Sequence, residues 1–433
     1  MSDVGFGPVQ GGMPPVIQAP TGRGTGTWSG VIPVPEVFRE EIMVRRTIVS
    51  AALALTVSAG LLGARAQEAQ TFVVGSHMPL TGALARSGQA FNEGMQVAAT
   101  MCNAASPRHK IRIDVIDDES TPAKAVSAVE KLSSDGAVAI IGGYGSNIIG
   151  PASDAASKLG KVYITAGAVS DELTQRGLKN FFRINNNAGY QRGIATLLSD
   201  LKPEKISIVA STREAPALLA DGLEKDLTAQ GIKVTVHKFD PAISDFKPVI
   251  NKIKIQDKPD IIMMSAYEND YVGIIRAAKV LKPNVKLIVG AWSLATPKMY
   301  TDFPDLMNNV VGTSFLPFPV EMKSEEGTTF ADLYKSKYGK EIEYLSTLSF
   351  VETRILCEAI FRSAEAGTLA KGGLADEMRK TDRDTMLGRI QFDQSGDNPN
   401  FTLSMGQHRD GKIVLVSPRT TANGEIAYPG LPW

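Results

Sequence analysis

The sequence predicts an α/β protein of two doubly wound lobes, each a parallel sheet covered by helices. Three observations predict it. At 433 residues, with 43% hydrophobic and 21% charged residues, the composition is that of a globular protein. Short β-branched runs alternate with helical segments along the chain beyond residue 70. That alternation restarts near residue 187, and two series of about 120 residues each exceed one comfortable core.

In the first series, strands are expected at 72–75, 111–117, 138–141 and 162–165. Helices are expected at 89–103, 121–134 and 147–159. Thr121-Pro122 marks a helix start, with the hydroxyl capping free N–H groups and proline tolerated in the first turn. Repeated strand–helix units require parallel strands with helices on both faces. The second series places strands at 206–211, 234–239, 261–265, 287–290 and 310–314, with helices at 190–201, 216–230, 247–256 and 272–281. The tail, helical at 324–338 and 347–366, must return to pack on these lobes. Ligands in such sheets sit beyond the carboxyl ends of the strands, so two lobes would offer facing loops across a cleft.

Ahead of this lies a Gly- and Pro-rich stretch, residues 1–30, with no apolar periodicity to drive folding. Met43-Val-Arg-Arg, an apolar run from Ile48 to Leu62 and Ala64-Arg-Ala then form the three parts of a secretory signal. The expectation is a signal peptide at 43–66, cleaved after Ala66, with residues 1–42 a disordered or mis-annotated extension. The run is short for a membrane span. Cys102 and Cys357 both fall in helical patterns and are expected as buried thiols, with a disulfide left open in an exported protein.

The 46 Lys+Arg balance the 46 Asp+Glu, which argues against nucleic acid as a partner. The four histidines (His77, His109, His237 and His408) show no i, i+4 pairing for zinc. There is no nucleophile elbow and no P-loop, and the glycines at 143, 145 and 150 miss the dinucleotide fingerprint. No cofactor is implied. A non-catalytic protein is expected, with enzyme chemistry of an unlisted kind as the rival.

The informative segment is Gly142-Gly-Tyr-Gly-Ser-Asn-Ile-Ile-Gly-Pro, where a buried strand ends in small residues and a helix begins. First-turn N–H groups at Gly145, Ser146 and Asn147 suit a carboxylate without Lys or Arg, and Ser146 adds a hydroxyl. The more frequent role of a serine at this position is to cap the helix. The next strand also ends in small residues, and Gly167 and Ala168 would let amides approach the same anion.

These landmarks resemble the leucine/isoleucine/valine-binding family of periplasmic solute-binding proteins, of type I fold. Val73-Val-Gly-Ser-His-Met-Pro-Leu-Thr-Gly, Ser87-Gly88 and Phe91-x-x-Gly94 look like its first strand, loop and helix. Asp117-Asp118, Pro151-Ala-Ser-Asp, Glu172-Leu-Thr and Phe182-Arg183 look like its later marks. The resemblance implies two lobes joined by three crossovers, at 71–186 plus 316–400 and 187–315 plus 401–433. It implies a carboxylate held by Ser146 and the loop 167–169, and an aromatic, Tyr267, from the opposing lobe. It also implies a monomer that delivers its ligand to ABC permease and ATPase subunits. A ligand-sensing regulator of the same fold is the alternative.

The sequence departs from the family where an acid would pair a ligand ammonium: the loop reads Gly290-Ala-Trp-Ser, with Trp292 in that place. Val169 replaces a hydroxyl residue and Glu214-Ala-Pro an aromatic–Gly pair. An unpaired buried ammonium is costly. The expectation is therefore a small carboxylate, favouring an aromatic acid stacked on Trp292, with a branched-chain amino acid as the alternative. Ser87 and Arg213 complete the candidate site, and Glu268 or Asp270 would be the displaced acid if the ligand carries an amine.

Overall fold

The computed structural model describes residues 68–430. The expected extension (1–42) and signal peptide (43–66) lie outside the described residues.

The first lobe is a five-stranded parallel sheet in the order β2-β1-β3-β4-β5. Its strands are β1 (Gln70–Met78), β2 (His109–Asp117), β3 (Ala139–Gly142), β4 (Val162–Thr165) and β5 (Phe181–Arg183). Helices α1 (Ala85–Ala105), α2 (Pro122–Ser134), α3 (Ser146–Lys158) and the short α4 (Glu172–Gln175) connect them. β3 and β4 are buried along their whole length, as a parallel sheet covered on both faces requires.

The chain then crosses over. Asn186 caps α5 (Asn187–Asp200) by accepting from Gly189 N at 2.8 Å. The second lobe holds seven strands in the order β14-β13-β10-β9-β8-β6-β7. Its parallel part comprises β6 (Lys205–Ser211), β7 (Lys233–Phe239), β8 (Ile261–Ser265), β9 (Leu287–Gly290) and β10 (Val311–Ser314). Between them run α6 (Glu214–Ala229), α7 (Lys247–Lys252), α8 (Glu268–Leu281), α9 (Pro297–Asp302) and α10 (Pro304–Met307).

A second crossing returns α11 (Glu325–Tyr338) and α12 (Tyr344–Glu365) to the first lobe, where α12 packs along α1. The short α13 (Leu374–Arg379) and the hairpin β11 (Asp382–Thr385) and β12 (Gly388–Gln391) follow. A third crossing delivers β13 (Ser404–Arg409) and β14 (Lys412–Ser417), which extend the second sheet antiparallel. This is the type I periplasmic binding fold.

Three local expectations are corrected. Cys102 and Cys357 are joined in a disulfide between α1 and α12, because the packing of these helices brings their Cα atoms to 6.6 Å. Thr121 does not cap α2; its hydroxyl donates to Asp118 O, the carbonyl of the turn preceding it. The second sheet is mixed, since β13 and β14 pair antiparallel against its edge.

Arg183, 1% exposed, ties the first crossing to the third. It donates from Nε and Nη2 to the two carboxylate oxygens of Asp397 at 2.9 and 2.8 Å, and from Nη1 to Ser170 O at 2.6 Å. Asn186 adds a donation to Asn398 O. The first and third crossings are therefore held together by charge-assisted and neutral hydrogen bonds.

Candidate functional site

Loops at the carboxyl ends of both sheets meet around a small, partly open cavity of about 20 Å3. From the first lobe come Tyr144, Ser146, Ala166, Gly167 and Val169. The first crossing contributes Asn185, and α12 adds Tyr344, Leu345 and Leu348. The second lobe supplies Tyr190, Ala215, Tyr267 and Trp292. Five of these side chains are aromatic and none is charged.

One wall is a glycine-rich turn leading into the start of α3. Gly142, Gly143 and Gly145 adopt φ of +91°, +76° and +93°, turning β3 sharply into α3. This turn abuts the loop after β4: Gly145 N donates to Gly167 O at 2.9 Å, and a Cβ at Gly167 would lie 2.0 Å from Gly143 O. Ser146, at the first position of α3, accepts from Val169 N at 3.3 Å and Ser170 N at 3.2 Å. Ser146 is also one of the residues lining the cavity. The unpaired first-turn amides of α3 favour negative charge there.

The opposite wall is an aromatic ladder. Tyr267 stacks on Trp292, with ring centroids 6.0 Å apart and planes at 27°, and Trp292 meets Tyr190 edge-on at 5.8 Å. Tyr144 reaches across the cleft to Tyr267, edge-to-face at 6.1 Å. The Tyr190 and Tyr344 hydroxyls are hydrogen-bonded to each other. Burial pushes the Tyr190 and Tyr267 hydroxyls up to about 12 and raises those of Tyr144 and Tyr344. All four stay protonated and neutral at physiological pH.

A charged rim closes the cleft. Arg86 of α1 pairs with Asp302 of α9 (2.6 Å) and Glu268 of α8 (3.3 Å), and lies over the Phe303 ring. Burial, reinforced by repulsion from Glu343, raises the Glu268 carboxyl to about 8. Arg213 stands 3.9 Å from Asp270 and 5.5 Å from the Tyr267 ring centre.

Of the residues expected from sequence, Ser146, Gly167, Tyr267 and Trp292 line the cavity. Gly145 shapes it from behind as the cap of α3. Asn147 is exposed and Ala168 is buried outside the lining, so neither borders the cavity. Ser87 and Arg213 belong to the outer vestibule with Arg86, Glu268 and Asp270, because α1 and the loop after β6 end outside the aromatic wall. Sequence reasoning missed Tyr144, Asn185, Tyr190 and Tyr344. Tyr144 sits within the Gly-Ser segment itself and was within reach. The others come from a crossing and two helix starts, whose convergence only the tertiary fold creates.

Comparisons with known proteins agree with this architecture. Residues 71–412 match the family described as "Periplasmic binding protein". Leu/Ile/Val-binding protein homolog 8 of Brucella abortus is 26% identical over 410 residues, covering 88% of this chain and 98% of the relative. Leu/Ile/Val-binding protein BraC3 of Rhizobium johnstonii is 26% identical, covering 79% and 93%. Among solved structures, the branched-chain amino acid transporter substrate-binding protein LivJ of Streptococcus pneumoniae, in complex with isoleucine, superposes with TM-score 0.70 at 22% identity. That match covers 81% of this chain and 100% of LivJ. A solute-binding protein of an ABC transporter from R. palustris, in complex with benzoate, gives 0.71 at 19% identity, covering 80% and 96%. With its fold, its facing loops and a family match spanning most of its length, this chain belongs to the periplasmic binding protein family.

Proposed function

We propose that this protein is a non-catalytic periplasmic receptor that captures a small aromatic carboxylate and presents it, closed, to an ABC permease. The observation that carries the reading is the cavity lining: five aromatic rings, a Ser–amide anion wall and no acidic side chain. A ligand ammonium entering this space would lose its hydration without gaining a charge partner, a cost of several kcal/mol. A planar ring loses little and stacks on Trp292 and Tyr267. The benzoate-bound R. palustris relative supports the reading by fold alone.

Glu268 and Asp270, the candidate ammonium partners, lie in the vestibule, beyond the Tyr267 ring. The second reading, a branched-chain amino acid ligand, is favoured by the Leu/Ile/Val-binding relatives. Lobe closure shifts the equilibrium only by the ligand's preference for the closed form. The closed form is the one the permease would recognise, and partner ATPase subunits would supply the energy of transport.

Thermal melting against benzoate, cinnamate, leucine and valine tests the proposal. A ligand at 100 times its dissociation constant stabilises by about 2.7 kcal/mol. Shifts with the aromatic acids and none with leucine or valine are expected. The reverse pattern would transfer the assignment to amino acids.

A further inference from the structure

Two polar atoms in the cavity wall are buried and have no hydrogen-bond partner among the described residues. Trp292 is 5% exposed, yet its Nε1–H has no acceptor. Asn185 is 2% exposed, and its Oδ1 receives no hydrogen bond. Both residues line the same cavity.

The geometry fixes what each atom offers. The amide of Asn185 is oriented by its nitrogen, which donates to Ala166 O at 2.9 Å and to the Tyr190 hydroxyl at 3.2 Å. The oxygen is therefore the free end, an acceptor only. The indole is held between Tyr267 and Tyr190 and is a donor only. Each unsatisfied buried group is destabilising until a ligand meets it.

A ligand that meets both must accept from the indole and donate to the amide oxygen. An apolar ring does neither. An ammonium donates but cannot accept, and faces the positive edge of the indole. A hydroxyl does both. With the carboxylate engaged at Ser146 and the amides beside it, the second polar group must be a separate one.

We propose that Trp292 Nε1 and Asn185 Oδ1 form a hydroxyl-reading subsite, so that the ligand is a hydroxylated aromatic acid. This rests on the aromatic-carboxylate reading above and adds the chemistry of its far end. Trp292 is then a specificity residue through its nitrogen as well as its ring.

Calorimetric titration of the protein with benzoate, 3-hydroxybenzoate, 4-hydroxybenzoate and leucine tests it. At least one hydroxybenzoate should bind about 10- to 100-fold tighter than benzoate, the range of one or two well-placed hydrogen bonds in a buried site. In Trp292→Phe, which keeps an aromatic plane and removes the N–H, that ratio should collapse towards one, whatever the absolute affinities. Equal binding of benzoate and both hydroxybenzoates by the native protein would overturn the hydroxyl subsite while leaving the aromatic reading intact. A preference that survives in Trp292→Phe would remove the indole from it. Binding of leucine with no aromatic acid would overturn both. The native comparison decides even if the variant does not fold.

Discussion

Arg86, on the first helix of one lobe, donates from Nη1 to Asp302 of the other lobe at 2.6 Å. With Glu268 as its second partner, it spans the rim of the cleft. Removing it biases the protein towards the open form. Arg86→Ala is expected to weaken ligand binding about two- to five-fold, since partly exposed pairs contribute roughly 0.5–1 kcal/mol. The difference should shrink in high salt. Titrations at low and high ionic strength check it, and a salt-independent loss would assign Arg86 a role other than charge.

Ser146 orders the loop after β4 by accepting from Val169 N and Ser170 N, and under the proposed function its O–H donates to the ligand carboxylate. Hydrogen bonds to charged groups contribute about 1.5–3 kcal/mol. Ser146→Ala should therefore weaken carboxylate binding by roughly ten- to a hundred-fold with a smaller change in melting temperature. Calorimetry paired with melting separates the two effects, and an unchanged dissociation constant would move the anion site elsewhere.

Arg183, beside the first crossing, is a buried cation whose carboxylate partner Asp397 lies beside the third. Truncating one side of such a pair leaves the other uncompensated at a cost of about 3–5 kcal/mol. Arg183→Ala should lose that much in urea unfolding. A loss below about 1 kcal/mol would mean that Asp397 finds water when its partner goes.

Glu268 sets a pH dependence with a definite sign. Its carboxyl is raised from the usual 4.5 to about 8 in the folded protein, so the native state holds the proton more tightly than the unfolded chain. The stabilisation is fully present below pH 4.5 and is lost progressively as pH rises to about 8. Glu268→Gln should flatten the stability–pH curve across that window. A curve of unchanged slope would show that Arg86 already compensates the buried charge.

The alternation of strands and helices was legible because a parallel sheet covered on both faces forces continuous apolar runs, as in β3 and β8. The antiparallel additions β13 and β14 were not, since Gln407 and His408 are buried polar residues that break any apolar reading of the strand. In the site, Ser146 and Gly167 were legible because strand-end chemistry is local. Tyr344 and Asn185 were not, because each is an ordinary residue at a helix start or crossing until the lobes meet. The disulfide was illegible for the same reason: 255 residues separate its halves, and only the packing of α12 along α1 aligns them.

That disulfide has a mechanical consequence. Both halves belong to helices of the same lobe, so the covalent staple never crosses the moving joint. It stiffens a single jaw without adding any spring constant to the opening and shutting of the clamp. Oxidation in the exported environment can thus harden the protein against heat while its grip remains governed by the cavity and the rim.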